Sequence, residues 1–432
     1  MPAFQTVWAF LLVLGVLIFV HELGHFLVAR WFGVRVLTFS LGFGPKILKW
    51  TRGGTVYCVS AIPLGGYVKM AGETTQDERV GAPDEFMSKS RWVRFLVYLA
   101  GPAMNVFLAV AALTIVLANG ADVPLYNSAP AVIGALEEKS VAASAGIQVG
   151  DRIVAVDGRD VPTWDDMTMA VLPKANKSIA VDVDRNGQRQ TINVVPASET
   201  KYEFGTLGIG PVQRPQVVDV QAGKPAARAG FARGDVVLAI EGRRAPSHPN
   251  IIEVLQKSTD KPVQFEVERN GVPVTLSVTP EGKPGKIGVT ISPVEVKRVD
   301  PTLAQAFGLS VTQNWDATRQ IGRTMRDLFT GETPVKQLMG PVAIAELSGS
   351  AASLGWLALL GLMASISLNL ALLNLMPVPV LDGGQMTILM MEGLFRRDLS
   401  LKWKEGFAIA GALMIVTLMV TVLYNDIARV LR

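Results

Sequence analysis

Residues 11–30 read LLVLGVLIFVHELGHFLVAR, an apolar run that is interrupted by two histidines and one glutamate. His21 and His25 stand four residues apart, so on a helix both imidazoles face the same side and can reach one zinc ion. Glu22 is then placed to take a proton from water at that metal. Ionisable residues within a membrane helix are costly and usually functional. The pattern predicts a metal site, and the alternative is a polar cluster where a helix ends at the membrane interface.

The composition of the whole chain is that of a membrane protein. Of 432 residues, 49% are hydrophobic and 18% are charged, against about 25% charged in a typical soluble protein. The 41 basic and 37 acidic residues give a net charge of +4, which is too balanced for a nucleic-acid binder. Because Cys58 is the single cysteine, the chain cannot build a disulfide framework or a thiolate zinc cluster.

Four stretches are apolar and long enough to span a membrane, which takes about 20 residues. They are 1–20 continuing into 26–29, 95–118, 347–381 and 406–425. The third would be roughly 52 Å long as one helix, so part of it must bend or lie at the interface. Pro377 and Pro379 are expected to mark the bend, because proline lacks a backbone donor. The sequence therefore predicts a multi-pass α-helical membrane protein with four transmembrane helices.

The basic residues predict the orientation of these helices. Lysine and arginine are frequent between spans one and two and between spans three and four, which places those two loops in the cytoplasm. Both termini and region 120–345 are then expected outside. A cleaved signal peptide is not expected, since no basic segment precedes the first apolar run, which continues into His21 and Glu22.

A catalytic zinc usually has three protein ligands, and Asp382 is the predicted third one. It directly follows the third uncharged stretch, and spans one and three both run inward, so Asp382 and His21 fall at a similar depth toward the cytoplasmic face. Three other residues are poorer candidates: His248 lies beyond the membrane, Cys58 lies in the 30–94 loop, and Glu392 is ten residues beyond Asp382.

The extracytoplasmic region contains an internal repeat. At an offset of 84 residues, Ser140–Gly158 aligns with Lys224–Gly242 without a gap, and eight of the nineteen positions are identical. The same offset pairs Arg185-Asn186-Gly187 with Arg269-Asn270-Gly271. Each copy has the pattern of a short helical turn, a Gly-Asp turn, a β-rich run, a polar helix and a hairpin closed by Asn-Gly. The sequence therefore predicts two copies of one α+β domain.

This pattern resembles PDZ domains of the circularly permuted type found in bacterial proteases. The resemblance implies PDZ domains that capture a peptide end by adding it as a strand to a sheet edge. It also implies two binding strands: Leu207, Gly208 and Ile209 in the first copy, and Ile287, Gly288 and Val289 in the second. The alternative is that these triplets only contribute to the core.

The segment around Asp382 reads NLMPVPVLDGG from Asn374 to Gly384. Together with the HELGH motif, this segment resembles the site-2 protease family of intramembrane zinc metalloproteases. The match extends to further segments: Gly42-Phe43-Gly44, PLGGYVKM at 63–70, and Gly101-Pro102 with Asn105. Gln385 departs from the family, in which many members have histidine at that position.

The resemblance implies a role for each of these residues. His21, His25 and Asp382 would hold zinc, and Glu22 would be the general base. Asn374 would contact the substrate backbone; the alternative is an interhelical hydrogen bond that packs span three. A re-entrant β-hairpin within 30–94 would pair with unwound substrate through three residues: Gly65, Gly66 and Tyr67. A plain cytoplasmic hairpin is the alternative.

The function that the resemblance implies is proteolysis within the bacterial inner membrane. Expected substrates are single-span proteins such as an anti-sigma factor, and signal-peptide remnants; membrane lipid is the surrounding partner. One competing hypothesis is a catalytically silent, membrane-tethered PDZ adaptor with a structural metal, against which Glu22 argues because a structural site needs no base. Another is a zinc hydrolase of lipids or prenylated peptides, against which the paired PDZ copies argue.

The predicted domain organisation follows from these assignments. Residues 300–346 are expected to form amphipathic linker helices on the outer membrane surface, unless they pack on the PDZ pair instead. The boundaries are transmembrane helix 1 at 1–29, the hairpin loop at 30–94, transmembrane helix 2 at 95–118, PDZ copies at 125–210 and 211–292, the linker at 300–346, and transmembrane helices 3 and 4 at 354–382 and 406–425.

Overall fold

The computed structural model describes residues 3–73, 81–198, 204–331 and 339–430. Short parts of the predicted hairpin loop, of the first repeat copy and of the linker therefore lie outside the described residues, at 74–80, 199–203 and 332–338. The described residues form two compact units. One comprises 3–120, 300–330 and 339–430, and the other comprises 121–299 together with residue 331.

The helices differ widely in length, from single turns in the second unit to long apolar helices in the first. In chain order they are α1 (Ala3–Trp31), α2 (Arg91–Ala118), α3 (Val141–Ala145), α4 (Trp164–Val171), α5 (Pro225–Arg228), α6 (His248–Lys257), α7 (Leu303–Phe329), α8 (Pro341–Leu354), α9 (Trp356–Asn374), α10 (Asp382–Phe395) and α11 (Leu401–Val430).

The strands are long in the first unit and short in the second. In chain order they are β1 (Val36–Arg52), β2 (Thr55–Met70), β3 (Ala121–Pro124), β4 (Ala131–Leu136), β5 (Arg152–Val156), β6 (Arg159–Asp160), β7 (Ile179–Arg185), β8 (Gln188–Val194), β9 (Ala197–Ser198), β10 (Gly205–Thr206), β11 (Ile209–Pro211), β12 (Gln216–Val220), β13 (Val236–Ile240), β14 (Arg243–Arg244), β15 (Val263–Arg269), β16 (Val272–Val278), β17 (Val289–Ser292) and β18 (Val296–Val299).

Among the described residues, four helices are long and apolar enough to cross a membrane. They include Phe4–Trp31, Arg91–Ala118, Trp356–Asn374 and Lys402–Ala428. The predicted third span continued to Asp382, whereas α9 ends at Asn374 and Asp382 begins the separate helix α10. The residues between them contain Pro377 and Pro379, which cannot donate to a helical hydrogen bond. The metal-ligand candidate therefore stands at the start of its own helix.

The third apolar stretch, which is too long for one membrane-spanning helix, is also interrupted at Gly355, between α8 and α9. Its φ of 113° is a conformation that other residues rarely adopt, and it separates α8 from α9. The amino end of α8 is capped by Asp426 of α11, whose carboxylate accepts hydrogen bonds from the backbone amides of Gly340, Val342 and Ala343 at 3.0–3.2 Å. The predicted fourth span ended at 425, one residue before this buried carboxylate.

Strands β1 and β2 form the hairpin beside the membrane helices. Their turn is Gly53-Gly54, with φ values of 57° and 80°. Residues 38–41 pair with 66–69 on one side and with 56–59 on the other, and 55–59 also pair with 48–52. Segment 66–69 is therefore an edge, and no second strand pairs with it among the described residues.

Helix α7 is the amphipathic helix expected after the repeats. It belongs to the same compact unit as the apolar helices, and Ser310, which is fully buried, donates a hydrogen bond to the carbonyl of Val110 in α2 at 2.8 Å. Several large apolar side chains of its first half are exposed: Leu303, Phe307, Leu309, Val311 and Trp315. Helix α7 is thus packed along α2, with apolar side chains left on its outer face.

The second unit contains two sheets of the same topology. The order is β11-β4-β5-β7-β8 in one sheet and β17-β12-β13-β15-β16 in the other, so each strand has its counterpart in the repeat. The ion pairs repeat as well. Nε of Arg185 lies 2.7 Å from Oδ1 of Asp151, and Nε of Arg269 lies 2.7 Å from Oδ1 of Asp235. The repeated sequence therefore encodes a repeated set of contacts.

The ion pair of the first copy predicts a pH-dependent stability. Hydrogen bonds from Arg185 lower the pKa of Asp151, so this carboxylate stabilises the fold above its unfolded-state pKa of about 4 and loses that contribution as the pH falls through the folded-state value. Asp151→Asn should reduce the local free energy of unfolding at pH 7 by about 2 kcal/mol, as measured by hydrogen exchange of β5 and β7. The exposed Asp160 provides the control variant Asp160→Asn; equal exchange in the two variants would contradict this prediction.

Candidate active site

Three predicted ligand residues meet where α1 approaches the start of α10. His21 Nε2 lies 3.2 Å from Oδ2 of Asp382, His25 Nε2 lies 3.5 Å from its Oδ1, and the two Nε2 atoms are 3.2 Å apart. Tetrahedral zinc, with bonds of about 2.0–2.1 Å, needs ligand atoms about 3.4 Å apart. The three side chains therefore fit a zinc ion.

Helix α2 packs against the imidazoles of His21 and His25. Nδ1 of His25 donates a hydrogen bond to the carbonyl of Val97 at 2.7 Å, which leaves Nε2 without a proton and free to bind a metal. One turn further along α2, a Cβ atom at Gly101 would collide with His25 Nε2 and would lie 2.8 Å from Cε1 of His21. Glycine at this position lets the backbone of α2 approach both rings.

The loop before α10 presents Asp382. Gly383 and Gly384 have no room for a Cβ atom, because backbone carbonyls of residues 375, 376 and 378 lie directly against them. The loop therefore folds back tightly on the first turn of α10. On its outer side, Pro379 packs against Gly411 of α11, again without space for a side chain.

The three ligand candidates open into a cavity of about 490 Å³. Glu22 lines it and is 9% exposed. Asn374 lines it as well, and its side chain makes no interhelical hydrogen bond among the described residues, contrary to the alternative raised from the sequence. The cavity also contains Gly66 and Tyr67 of the hairpin edge.

Gly65 and Gly66 bring the hairpin edge against α1. Gly65 has a φ of 122° and faces the ring of Phe43. A Cβ atom at Gly66 would lie 2.9 Å from Cγ of Glu22 and 2.8 Å from a methyl group of Ile18. Of the predicted substrate-contacting hairpin residues, Gly66 and Tyr67 line the cavity, while Gly65 makes the bend that leads into it.

Sequence reasoning missed other residues of the cavity. Tyr98 on α2 and Glu73 after β2 line it, and neither belongs to a motif; a tyrosine within an apolar helix was the one available signal. Gln385 also lines it. Glu392, considered as a ligand from the sequence, instead pairs with Lys404 at 2.6 Å.

Each triplet that is predicted to bind a peptide begins with a core residue and leads into a strand at a sheet edge. Leu207 and Ile287 are each 2% exposed and belong to the two cores, as the alternative interpretation expected. Strands β11 and β17 nevertheless form sheet edges. Beside β17 lies a cavity of about 840 Å³. Its lining includes Lys224, Ile251, Ile252, Leu255, Ile287, Gly288, Val289 and Ile291.

Comparison with known proteins shows the family to which this chain belongs. Residues 9–418 match the model of peptidase family M50. The regulator of sigma-E protease RseP of Escherichia coli is 33% identical over 448 residues, with 98% of each chain covered. A Vibrio cholerae protein named as a zinc metalloprotease is 33% identical over 455 residues, again with 98% of each covered. Protease RseP of Yersinia pestis is 33% identical over 452 residues and 98% of each chain.

A solved structure of an HtrA-type protease, AlgW with decapeptide, matches 32% of this chain and 55% of its own at 17% identity. The TM-score of 0.15 is too low to bear on the fold. The sequence matches define the class as zinc metalloproteases. This chain belongs to peptidase family M50, the site-2 protease family, and zinc is its cofactor.

Substitution of Gly101 tests the approach of α2 to the imidazoles. Gly101→Ala places a methyl group against both rings, with an overpacking cost of about 1–3 kcal/mol, and should lose most of the bound zinc as measured by elemental analysis. Gly15→Ala is the matched control, because Gly15 is also helical and has open space around it. Wild-type zinc content in Gly101→Ala would show that the close approach is not needed.

Proposed function

We propose that this chain is an intramembrane zinc endopeptidase that hydrolyses peptide bonds within the transmembrane segments of single-span membrane proteins. The observation that carries the proposal is the convergence of His21, His25 and Asp382 on one cavity. Glu22 and three residues of the hairpin edge, Gly66, Tyr67 and Val68, line the same cavity.

His21, His25 and Asp382 would bind zinc, which supplies the Lewis acidity that acidifies water and polarises a peptide carbonyl. Glu22 follows His21 on α1 and lines the cavity. Its carboxylate would accept a proton from the attacking water and deliver it to the amine nitrogen that leaves when the C–N bond breaks. A burial of nine-tenths limits competition from bulk water.

Asn374 would act on the oxygen of the scissile carbonyl. It is the last residue of α9 and lines the cavity that also contains Asp382. An amide N–H donor can stabilise the negative charge that develops on this oxygen as water attacks. Because the Asn374 side chain has no other hydrogen bond among the described residues, its amide is free to donate to substrate.

The hairpin edge would hold the substrate in extended form. A peptide bond in a helix is shielded, since its amide and carbonyl are already hydrogen-bonded along the helix. Residues 66–68 offer backbone groups on the side away from 39–41, and strand addition there would satisfy the groups of an unwound substrate. Irregular backbone at membrane depth is tolerated only along protein or a wet cavity, and this edge lines such a cavity.

The two repeat copies would be PDZ domains that select the substrate. In each, the closing strand lies at a sheet edge beside the first strand of its copy, as strand addition requires. In the second copy the apolar lining of the neighbouring cavity, including Ile252 and Leu255, suits the apolar side chain of a peptide end. Lys224 at the same cavity suits its carboxylate.

We further propose a bacterial inner-membrane location with four spans, periplasmic termini and repeats, and a metal centre toward the cytoplasm. The proposal rests on the basic loops between spans one and two and between spans three and four. Relatives named regulator of sigma-E protease support a membrane-bound anti-sigma factor as the substrate class. Signal-peptide remnants, which are also single apolar helices, form a second class.

Glu22→Gln separates catalysis from metal binding. The variant should keep about one zinc per chain, because Glu22 is not a ligand, while cleavage of a tagged single-span substrate falls by 10²–10⁴-fold or more, on the order expected for loss of a general base. Cleavage is followed by gel shift with detergent-purified protein. Glu405→Gln, at an exposed position of α11, is the control. If wild type and variant both bind zinc and neither cleaves any single-span substrate, the silent-adaptor hypothesis replaces this one.

The groove of the second copy predicts recognition of a peptide end. Ile252 is 39% exposed at the groove, so Ile252→Asp should leave the fold intact and weaken binding of a peptide with an apolar last residue about tenfold, through lost apolar burial. Fluorescence anisotropy with free-acid and amidated peptides measures this. Val272→Asp changes a valine on β16 that is 60% exposed and is the control. Equal binding by both variants would remove the role of the groove in peptide capture.

A further inference from the structure

Asn105 on α2 is a buried amide beside the metal-ligand candidates. Its side chain is fully buried, and its Nδ2 lies 3.1 Å from Nδ1 of His21. Its Oδ1 is also buried and has no hydrogen-bond partner among the described residues. Nothing in the described part of the chain therefore holds the carbonyl end of this amide in its present direction.

The ring nitrogen of His21 that carries the proton determines whether the oxygen or the nitrogen of the Asn105 side-chain amide faces Nδ1. A neutral imidazole has one N–H, so Nε2 is free for a metal only when Nδ1 is protonated and finds an acceptor. For His25 the acceptor is the carbonyl of Val97. For His21 the corresponding neighbour is Asn105, eight residues further along the same face of α2, with Gly101 between them.

Both tautomers of His21 can be satisfied by this one amide. Without zinc, Nε2–H can donate to Oδ2 of Asp382 at 3.2 Å, and Nδ1 then accepts from Nδ2 of Asn105. When zinc binds, the proton must be on Nδ1, and rotation of the amide by about 180° presents Oδ1 to it. An amide is suited to this exchange because it carries a donor and an acceptor of similar size.

We propose that Asn105 is a positioning residue for zinc binding: its Oδ1 accepts the Nδ1 proton of His21 and so fixes the tautomer that directs Nε2 to the metal. This inference rests on the proposed ligand set. The effect of the Asn105 side chain on zinc binding can be tested separately from helix packing. The hydrogen bond that joins α2 to α9 at this point is made by the backbone of Asn105 and not by its side chain. Oγ of Ser367 donates to the carbonyl of Asn105 at 2.8 Å, and a side-chain substitution leaves that bond in place.

The test is a zinc competition titration of the purified full chain with a chromophoric chelator. Asn105→Leu keeps the approximate shape and removes the acceptor, so its zinc affinity should fall 10–100-fold. Asn105→Asp keeps an acceptor and should retain wild-type affinity. Asn369→Leu is the matched control, since Asn369 is an exposed asparagine on α9 that bonds only the carbonyl of Ser365 among the described residues.

The outcomes separate the inference from the proposed function. If wild type binds zinc but His21→Ala binds it equally well, the ligand set itself is wrong. If wild type requires His21 and Asn105→Leu binds as tightly as wild type, the positioning role is overturned. It is also overturned if Asn105→Asp is as weak as Asn105→Leu, because the acceptor then does not matter. Thermal melting of the metal-free variants checks folding, and Asn105→Ala replaces Asn105→Leu if leucine prevents folding.

Discussion

The structure depends on satisfying three ionisable side chains inside an apolar helical unit. Unpaired, each would cost several kcal/mol in such an apolar environment. The solution is a close approach of α1 and α2, in which Gly24 lies against the backbone of Ala100 and Gly101 lies against the imidazoles. The backbone carbonyl of Val97 then accepts a hydrogen bond from His25. The carboxylate of Asp382 lies beside Nε2 of both imidazoles. Small residues thus bring polar groups close enough to satisfy one another.

Both units contain sheet edges of the kind that the proposed recognition would use. In the first, the hairpin leaves segment 66–69 as an edge beside the cavity; in the second, β11 and β17 are edges of two equivalent sheets. An edge offers a row of backbone donors and acceptors that another chain can pair with. The proposed recognition at these edges would use the backbone and would depend little on substrate side chains.

Much of this architecture can be predicted from short sequence motifs and from the internal repeat. The HELGH motif, the Asp-Gly-Gly after the prolines and the 84-residue offset are short patterns in the sequence, and the structure places His21, His25 and Asp382 close together. The positions of Val97 and Tyr98 were not readable, because a backbone carbonyl has no residue signature and one tyrosine in an apolar helix has many uses. The break at Asn374 was placed too late because apolar composition continues through a loop where prolines have ended the helix.

The contact between Pro379 and Gly411 has a consequence for how the protein is made. The loop that presents Asp382 rests on α11, and the same helix caps α8 through Asp426. Helix α11 follows every other element of the metal centre along the chain, so it leaves the ribosome and enters the membrane after them. The loop has no support on this side until α11 has been made. The order of synthesis therefore delays completion of the loop's surroundings until the last helix of the chain has been made.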